Sequence, residues 1–428
     1  MKIKRIQAEE ILDSRGNPTI FTKVILENNT IGLASVPSGA STGKHEAVEL
    51  RDNDTSRYGG LGVLKAIENV NKIIAPELIG KEVDQQKEID QIMINSDGTE
   101  NKSKLGANAI LSVSLAVARA AALAENLPLY QYLTRFNPDH QGKFIMPIPH
   151  MNIMNGAKHA NWVTDIQEFI IFPIGASSIQ KAVEMGVTVY QNLKIILKQL
   201  GYSINVGDEG GFAPLVKNNS EPFQLISQAV EKAGYKLGQD IVLGIDAAAS
   251  EFYSEQKYNL KKENKNLSNK ELMDFYLEMK SRYPIVSFED IFDQDDWEGF
   301  QMITEKIGKS TQVVGDDLYV TNVKRLQKGI NEKTTNSILI KLNQIGTLTE
   351  TIDAILLARQ AGMMAIVSHR SGETEDTFMA DFVVAMGTGQ IKAGAPCRSE
   401  RVAKYNRLMT IERELGEKSV YAKFPFIG

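Results

Sequence analysis

The sequence of 428 residues contains very little cysteine, since Cys397 is its only thiol. A disulfide within the chain is therefore excluded, and nothing in the sequence requires an oxidising compartment. Excess positive charge is also absent, because 48 Lys and Arg residues face 53 Asp and Glu residues, for a net charge of −5. A chain with this balance has no global electrostatic reason to bind nucleic acid or an anionic membrane.

Long apolar runs are missing as well. The first residues, M-K-I-K-R, are charged and lead into no apolar h-region, so we expect no signal peptide and a cytoplasmic location. The most apolar stretch, residues 107–124, contains Asn108 and Arg119 and is rich in alanine and serine. It is typical of a packed internal helix rather than of a membrane span, which needs about 20 apolar residues.

Two regions with different patterns follow each other along the chain. Residues 4–11 and 19–26 alternate like strands around the turn D-S-R-G-N-P, and residues 63–74 carry apolar side chains at helical spacing. Residues 135–142 are rich in turn formers. We therefore predict a small α+β domain over residues 1–135 and a second domain over residues 143–428.

The second region alternates short apolar runs with longer helical stretches. Most of the runs follow one another at the spacing of one strand, one helix and two loops, which predicts a β/α (TIM-like) barrel. The polar residues that end the runs are Asp246, Glu289, Asp316, Lys341, His369 with Arg370, and Lys392. A doubly wound open sheet would alternate in the same way, but its ligand site lies at one switch point rather than at nearly every strand end.

Asp246, Glu289 and Asp316 would meet at one edge of such a barrel. Three carboxylates at close range repel one another, and a divalent cation relieves this repulsion. Ligation by oxygen alone favours a hard ion such as Mg²⁺ over zinc. The alternative is that each acid caps a helix or is solvated in a loop.

Four further segments could take part in the chemistry of a site. Lys341 closes an apolar strand, where a partly buried amine suits a general base or forms a structural ion pair. Arg370 and Ser371 could hold a phosphate at a helix N-terminus, or be a solvated arginine beside a helix cap. The loops V-G-D-E-G-G-F-A-P and P-S-G-A-S-T-G could present an acid and form a mobile flap, or be plain turns.

These motifs together resemble the enolase family, phosphopyruvate hydratase. The matching segments run in the family's order from residue 13 to beyond residue 392, and include D-S-R-G-N-P, P-S-G-A-S-T-G, V-G-D-E-G-G-F-A-P, D-A-A-A-S-E-F-Y, V-G-D-D-L-Y-V-T-N, K-L-N-Q-I-G-T-L-T-E and S-H-R-S-G-E-T-E-D-T-F. The resemblance implies a small α+β N-terminal domain followed by a variant β/α barrel. It also implies a homodimer or a higher symmetric oligomer.

The resemblance also implies a role for each matching residue. Lys341 would remove the proton from carbon 2 of 2-phosphoglycerate, and Glu209, with Glu168 beside it, would protonate the leaving hydroxyl on carbon 3. Two Mg²⁺ ions per site are implied, the first on Asp246, Glu289 and Asp316 and the second held with the help of Ser41. The remaining matches are substrate contacts or line the pocket: Gln167, His159, His369, Arg370, Ser371 and Lys392.

One of the departures from the family's motifs precedes the His159 segment, and two rival functions stay open. The family's N-G-G becomes Asn155-Gly156-Ala157, and because alanine tolerates positive φ poorly, we expect this loop to differ. Another enolase-superfamily enzyme acting on a plain carboxylic acid is one rival, and the anion clamp predicted at Arg370 and Ser371 argues against it, as does the flap serine Ser41. The other rival is a non-catalytic role. Family members also serve as surface plasminogen receptors, as lens proteins or in RNA-degrading complexes. A receptor role would place a fraction of the protein at the cell surface.

Overall fold

The computed structural model describes residues 1–39, 43–160 and 162–426, without the side chain of His159. Its N-terminal part opens with an antiparallel sheet in the order β1-β2-β3. Helices follow, and a π-helical segment at Val70–Ile74 continues α1 into α2. The elements are β1 (Ile3–Leu12), β2 (Pro18–Leu26), β3 (Ile31–Ser35), α1 (Leu64–Asn69), α2 (Ala75–Leu78), α3 (Gln86–Asp97), α4 (Ala107–Ala124) and α5 (Leu129–Leu133).

Helix α4 lies against this sheet, and its small side chains explain the close fit. A Cβ atom on Gly32 of β3 would lie 2.2 Å from the carbonyl oxygen of Ala116, so the strand touches the helix backbone. Thr22 of β2 donates a buried hydrogen bond of 2.7 Å to Ser112. Among the described helices, α4 alone is long and apolar enough to span a membrane, and 83% of it is buried in the protein. The prediction of a packed internal helix is confirmed.

The rest of the chain builds a closed barrel with smaller strands and helices around it. The barrel order is β5-β6-β7-β11-β12-β13-β14-β15. The elements are β4 (Phe144–Met146), β5 (Ile148–Asn155), β6 (Glu168–Phe172), α6 (Ile179–Gln199), α7 (Glu221–Lys232), β7 (Val242–Asp246), β8 (Tyr253–Ser254), β9 (Lys257–Leu260), β10 (Lys265–Leu267), α8 (Asn269–Arg282), β11 (Ile285–Glu289), α9 (Trp297–Ile307), β12 (Gln312–Gly315), α10 (Val323–Glu332), β13 (Ser337–Ile340), α11 (Leu342–Ile345), α12 (Leu348–Gln360), β14 (Met364–Ser368), α13 (Phe378–Met386), β15 (Gln390–Lys392), α14 (Ser399–Leu415) and β16 (Ser419–Tyr421).

One barrel strand runs against all the others. β6 pairs antiparallel with both β5 and β7, whereas the other barrel pairs are parallel. Residues of β5, β6 and β7 are buried along their whole length, as expected for strands covered on both faces. The fold is therefore α/β, with a variant β/α barrel after a small α+β part, as predicted.

Candidate active site

Three carboxylates lie together at the carboxyl ends of neighbouring barrel strands. Asp246 ends β7, Glu289 ends β11, and Asp316 follows β12 directly. Asp246 and Glu289 are direct partners in the parallel register. All three side chains are buried. The predicted strand ends therefore converge at one mouth of the barrel.

The reversal of β6 brings a fourth carboxylate to the same mouth. Glu168 is the first residue of β6 and pairs with Asp246, the last residue of β7. Gln167 precedes it and is also buried. Glu168 Oε2 and Gln167 Oε1 have no hydrogen-bond partner among the described residues. Because these residues stand at a strand's start, a search for polar strand ends misses them, and only the family resemblance indicated them.

Lys392 of β15 supplies the nearest positive charge to these acids. Its Nζ lies 3.1 Å from Glu168, 2.9 Å from Asp246 and 2.6 Å from Glu289. Even so, burial raises the pKa of Glu168 and of Glu289 well above the usual range, with repulsion from neighbouring acids adding to it. One lysine is thus too little positive charge for the carboxylates that surround it.

Lys341, directly after β13, forms an ion pair with Asp316. Burial lowers the pKa of Lys341, but Asp316 and Asp317 outweigh burial, so the net pKa is raised. The other oxygen of Asp316 accepts a hydrogen bond of 2.9 Å from Gln344. In this arrangement the lysine is held protonated by the carboxylate beside it, whereas a base must be neutral.

Two further acids at this mouth escaped the sequence reasoning. Oxygen atoms of Asp290, Asp316 and Asp317 lie within 4.8 Å of one another, close enough to share a metal ion. Asp290 accepts hydrogen bonds of 2.8 Å from the backbone N–H groups of Asp316 and of Asp317. Burial and then Asp316 raise the pKa of Asp317 to about 8. The signal was present as a second acid directly after the strand-end acid, in F-E-D and G-D-D.

The predicted anion clamp lies on the loop after β14. The Arg370 guanidinium donates to the carboxylate of Glu46 at 2.9 and 3.2 Å and to Asn343 at 2.9 Å. Ser371 lines the same cleft. Backbone hydrogen bonds of 2.8 and 2.9 Å join Ser38 to Gly372, so the stem of the predicted flap is attached to the clamp loop. Glu46, which follows the flap, was not predicted.

Glu209 reaches the cleft from the loop after α6. Its Oε2 accepts a hydrogen bond of 3.0 Å from Asn152 of β5. The same oxygen lies 3.6 Å from Nε2 of His369. Glu209 and His369 are both buried. The proposed acid and the predicted base, Lys341, thus come to the mouth on loops that are far apart in the chain.

These groups line one cleft at the mouth of the barrel. The predicted residues on its wall are Gln167, Glu168, Glu209, Asp246, Asp316, Lys341, His369, Arg370, Ser371 and Lys392. Glu289 adjoins it through Lys392. Ser41 and the side chain of His159 lie outside the described residues.

The donor set fits a hard divalent cation. Its ligand atoms are carboxylate oxygens, and burial, with repulsion among the acids adding to it, raises the pKa of Glu168, Glu289 and Asp290. Glu168 Oε2 is buried without a partner among the described residues, as an acceptor that faces a cation or a bound ligand would be.

The fold and this mouth are those of a β/α-barrel protein with an acidic, lysine-bearing cleft at the carboxyl ends of its strands. Comparison with known families gives two matches: residues 3–133 match the enolase N-terminal domain, and residues 143–427 match the enolase C-terminal TIM barrel domain. The chain belongs to the enolase family, whose superfamily generally binds Mg²⁺.

Proposed function

We propose that this protein catalyses the Mg²⁺-dependent, reversible dehydration of 2-phosphoglycerate to phosphoenolpyruvate, the reaction of glycolytic enolase. The observation that carries this proposal is the joint presence of Lys341, Glu209 and the Arg370–Ser371 clamp on one cleft. A base, an acid and an anion site are the three groups that this reaction needs. The clamp favours a phosphorylated substrate over a plain carboxylic acid.

Metal binding would involve the acids at the barrel mouth. Asp246, Glu289 and Asp316 would hold a first Mg²⁺, and Ser41 would help to hold a second. When bound there, Mg²⁺ would supply positive charge beside the substrate carboxylate, where negative charge builds as the carbon 2 proton leaves. Asp290 and Asp317 adjoin Asp316, and Asp290 accepts one hydrogen bond from the backbone N–H of Asp316 and one from that of Asp317.

Lys341 is the proposed base, and its protonation is set by its neighbours. With Asp316 as ion-pair partner, the amine keeps its proton. If another cation pairs with Asp316, burial is the largest remaining influence on Lys341. Burial lowers the pKa of the amine. The same neighbour therefore decides whether Lys341 can accept the carbon 2 proton.

Charge also explains why Lys341 is suited to remove a proton next to the substrate carboxylate. Two unit charges 4 Å apart attract by ~4 kcal/mol at an effective dielectric constant near 20. A barrier change of that size is about three decades of rate. The ammonium formed on Lys341 therefore stabilises the dianionic carboxylate that its own proton abstraction creates.

Glu209 is the proposed acid. It gives a proton to the hydroxyl on carbon 3, which leaves as water. Asn152 fixes its Oε2, and Glu168 lies close enough for repulsion from Glu209 to raise the pKa of Glu168, after burial. Arg370 and Ser371 would hold the phosphate, and Lys392 and Gln167 would face the substrate's other polar groups.

Two single variants separate the two steps. We expect Glu209→Gln to keep proton exchange at carbon 2 while losing dehydration, because only the acid is removed. Lys341→Ala should lose both. Deuterium exchange followed by NMR and a coupled dehydration assay measure the two steps, and equal loss of exchange in both variants would contradict these roles.

Metal dependence is tested by chelation. Because the buried acids exceed the lysine and arginine charges around them, an anionic substrate should bind poorly to the metal-free protein. We expect EDTA to abolish both turnover and 2-phosphoglycerate binding in calorimetry, and Mg²⁺ to restore both. Tight substrate binding by the chelated protein would refute this expectation.

Assembly and location belong to the same proposal. We propose a homodimer in the cytoplasm, on the basis of the family alone. Sedimentation equilibrium should give about twice the chain mass of 47.4 kDa. A monomer mass at micromolar concentration would contradict the dimer but would not contradict the proposed reaction.

A further inference from the structure

Arg401 of α14 is fully buried beneath the active-site loops. A buried guanidinium is costly unless its N–H groups have acceptors. Its Nη1 donates to Nδ1 of His369 at 2.6 Å and to the carbonyl of Arg370 at 2.5 Å. Its Nη2 donates to the carbonyls of Ser371 at 2.6 Å and Asp208 at 3.2 Å. One side chain thus joins the clamp loop to the loop that carries Glu209.

The contact with His369 determines where the imidazole proton lies. Arginine keeps its proton and can only donate, so Nδ1 of His369 must accept. Burial lowers the pKa of His369 well below its ordinary value, and Arg401, Lys392 and Lys341 act in the same direction, against Glu209. The ring is therefore neutral, and its single N–H is on Nε2.

The Nε2–H group of His369 faces Glu209, the proposed acid. Nε2 lies 3.6 Å from Oε2 of Glu209, beyond a hydrogen bond, and Asn152 donates to the same oxygen at 3.0 Å. The other tautomer would direct a lone pair at this carboxylate. Of the two neutral tautomers, only the Nε2–H form directs a donor at it.

We propose that Arg401 is a positioning residue that holds His369 in the Nε2–H tautomer so that His369 stabilises the carboxylate of Glu209. The inference rests on the proposed function. When Glu209 transfers its proton to the carbon 3 hydroxyl and water leaves, negative charge appears on Glu209. The N–H of His369 then lies beside that charge, and in the reverse reaction it holds the carboxylate that takes the proton back.

The wild-type tautomer is the first test, and it needs no variant. The chain has five histidines, so ¹⁵N-histidine labelling gives few signals, and the His369→Gln spectrum identifies those of His369 by their absence. We expect long-range ¹H–¹⁵N correlations to show a protonated Nε2 and an unprotonated Nδ1. A proton on Nδ1 would overturn the proposal.

Arg401→Met is the second test, because methionine keeps length but donates nothing. We expect His369 to gain the Nδ1–H form and the dehydration rate to fall roughly 10- to 100-fold, by analogy with the loss of partners that orient metal-bound histidines. Proton exchange at carbon 2 should persist, since Lys341 does not depend on His369. Equal loss of exchange and dehydration would indicate that Arg401 only stabilises the fold, and it would overturn the proposal.

Lys404→Met is the matched control. Lys404 is also buried on α14, but it donates to Glu373 at 2.9 Å and to the carbonyl of Thr374 at 2.6 Å rather than to His369. We expect the variant to lower stability without changing the His369 tautomer. A tautomer change in Lys404→Met would mean that any disturbance of this loop suffices, which contradicts a specific role of Arg401.

A double-mutant cycle completes the test. In a His369→Gln background the amide can donate to Glu209 without help from Arg401, so Arg401→Met should lower dehydration by no more than about twofold, the range of independent sites. The same loss in both backgrounds would overturn the proposal. If instead the wild-type protein fails to dehydrate 2-phosphoglycerate while its His369 shows the Nε2–H form, the proposed function has failed, not the tautomer assignment.

Discussion

His150 of β5 shows how burial sets the charge of a single side chain. Its Nε2 lies 2.9 Å from the Gln390 amide oxygen and its ring packs against Phe172. Burial lowers the pKa of His150 to about 3. The ring is therefore neutral in the folded protein at pH values where the unfolded chain is already protonated.

The sign of the resulting pH effect follows from linkage. Because the folded pKa is below the unfolded value of 6.5, stability from neutral His150 is full above that value and is lost as the pH falls toward the folded pKa of about 3. Between pH 7 and pH 5 the loss should be about 2 kcal/mol, at ~1.4 kcal/mol per pH unit below the unfolded pKa. Urea unfolding of the wild type and of His150→Gln at both pH values measures it, and parallel pH slopes would refute the assignment.

Ala157 shows a strained backbone position at the residue scale. The sequence leads us to expect that this loop differs from the family's, which stays a prediction, and Ala157 adopts a φ of +40°, in the left-handed region. An L-residue there costs roughly 1–2 kcal/mol relative to ordinary backbone. The surrounding contacts hold the loop shape, including the backbone hydrogen bond of 2.9 Å from Ala157 to Thr164.

At the scale of elements, the packing of β3 on α4 depends on one glycine. A side chain at Gly32 would meet Ala116 O at 2.2 Å and Ala120 N at 2.4 Å, and helix backbone cannot move aside as a side chain can. We expect Gly32→Ala to destabilise the protein by about 1–3 kcal/mol or more, the range of overpacking. Denaturant unfolding gives the value.

Gly201→Ala is the control for this substitution. Gly201 has a φ of +75°, and a Cβ atom added to it would meet no atom within 4 Å, so the cost of alanine there is conformational only. That cost should be near 1 kcal/mol, as for other glycines replaced in the left-handed region. If Gly32→Ala costs no more than Gly201→Ala, the strand does not contact the helix as closely as the structure indicates.

At the scale of the whole molecule, the N-terminal part and the barrel are joined beside the active site. Arg119 of α4 donates to both oxygens of Asp376 at 2.7 and 2.6 Å, and the Ser35 N–H donates to Asp376 at 2.9 Å. Burial alone would raise the pKa of Asp376, but Arg119 outweighs it, and the net pKa is lowered. This pair connects α4 to the loop that continues from the anion clamp.

Breaking this partly buried pair should lower stability. We expect Asp376→Asn to lower the free energy of unfolding by about 1–3 kcal/mol at pH 7, the cost of leaving a largely buried hydrogen-bonding group without its charged partner. Because the folded pKa is lowered, the contribution is full above the unfolded pKa and is lost as the pH falls through the folded pKa. The difference between wild type and variant in urea unfolding should therefore shrink in acid.

Glu100→Gln is the matched control, because Glu100 forms an ion pair of 2.9 Å with Lys324 that also joins the N-terminal part to the barrel. Both side chains are largely exposed, at 83% and 77%. Exposed pairs contribute little. Equal losses in Asp376→Asn and Glu100→Gln would show that burial is not what makes the first pair important.

Much of this architecture was predictable from the sequence. The bounds of α4, the strands β1 and β2 and the acids that end β7 and β11 follow from local periodicity, which folding preserves because each element must bury its own apolar face. The predicted division near residues 135–142 stays a prediction, as do the roles of the site residues. The motifs were long enough to indicate the family from the sequence alone.

Tertiary structure decided the rest. The reversed β6, the acids Asp290 and Asp317, the partner of Arg370 at Glu46, and the contact of Arg401 with His369 join residues far apart in the chain. So does the pairing of Lys341 with Asp316, which raises the lysine pKa. A sequence pattern records each residue's neighbours along the chain, whereas charge state and hydrogen-bond partner depend on neighbours in space.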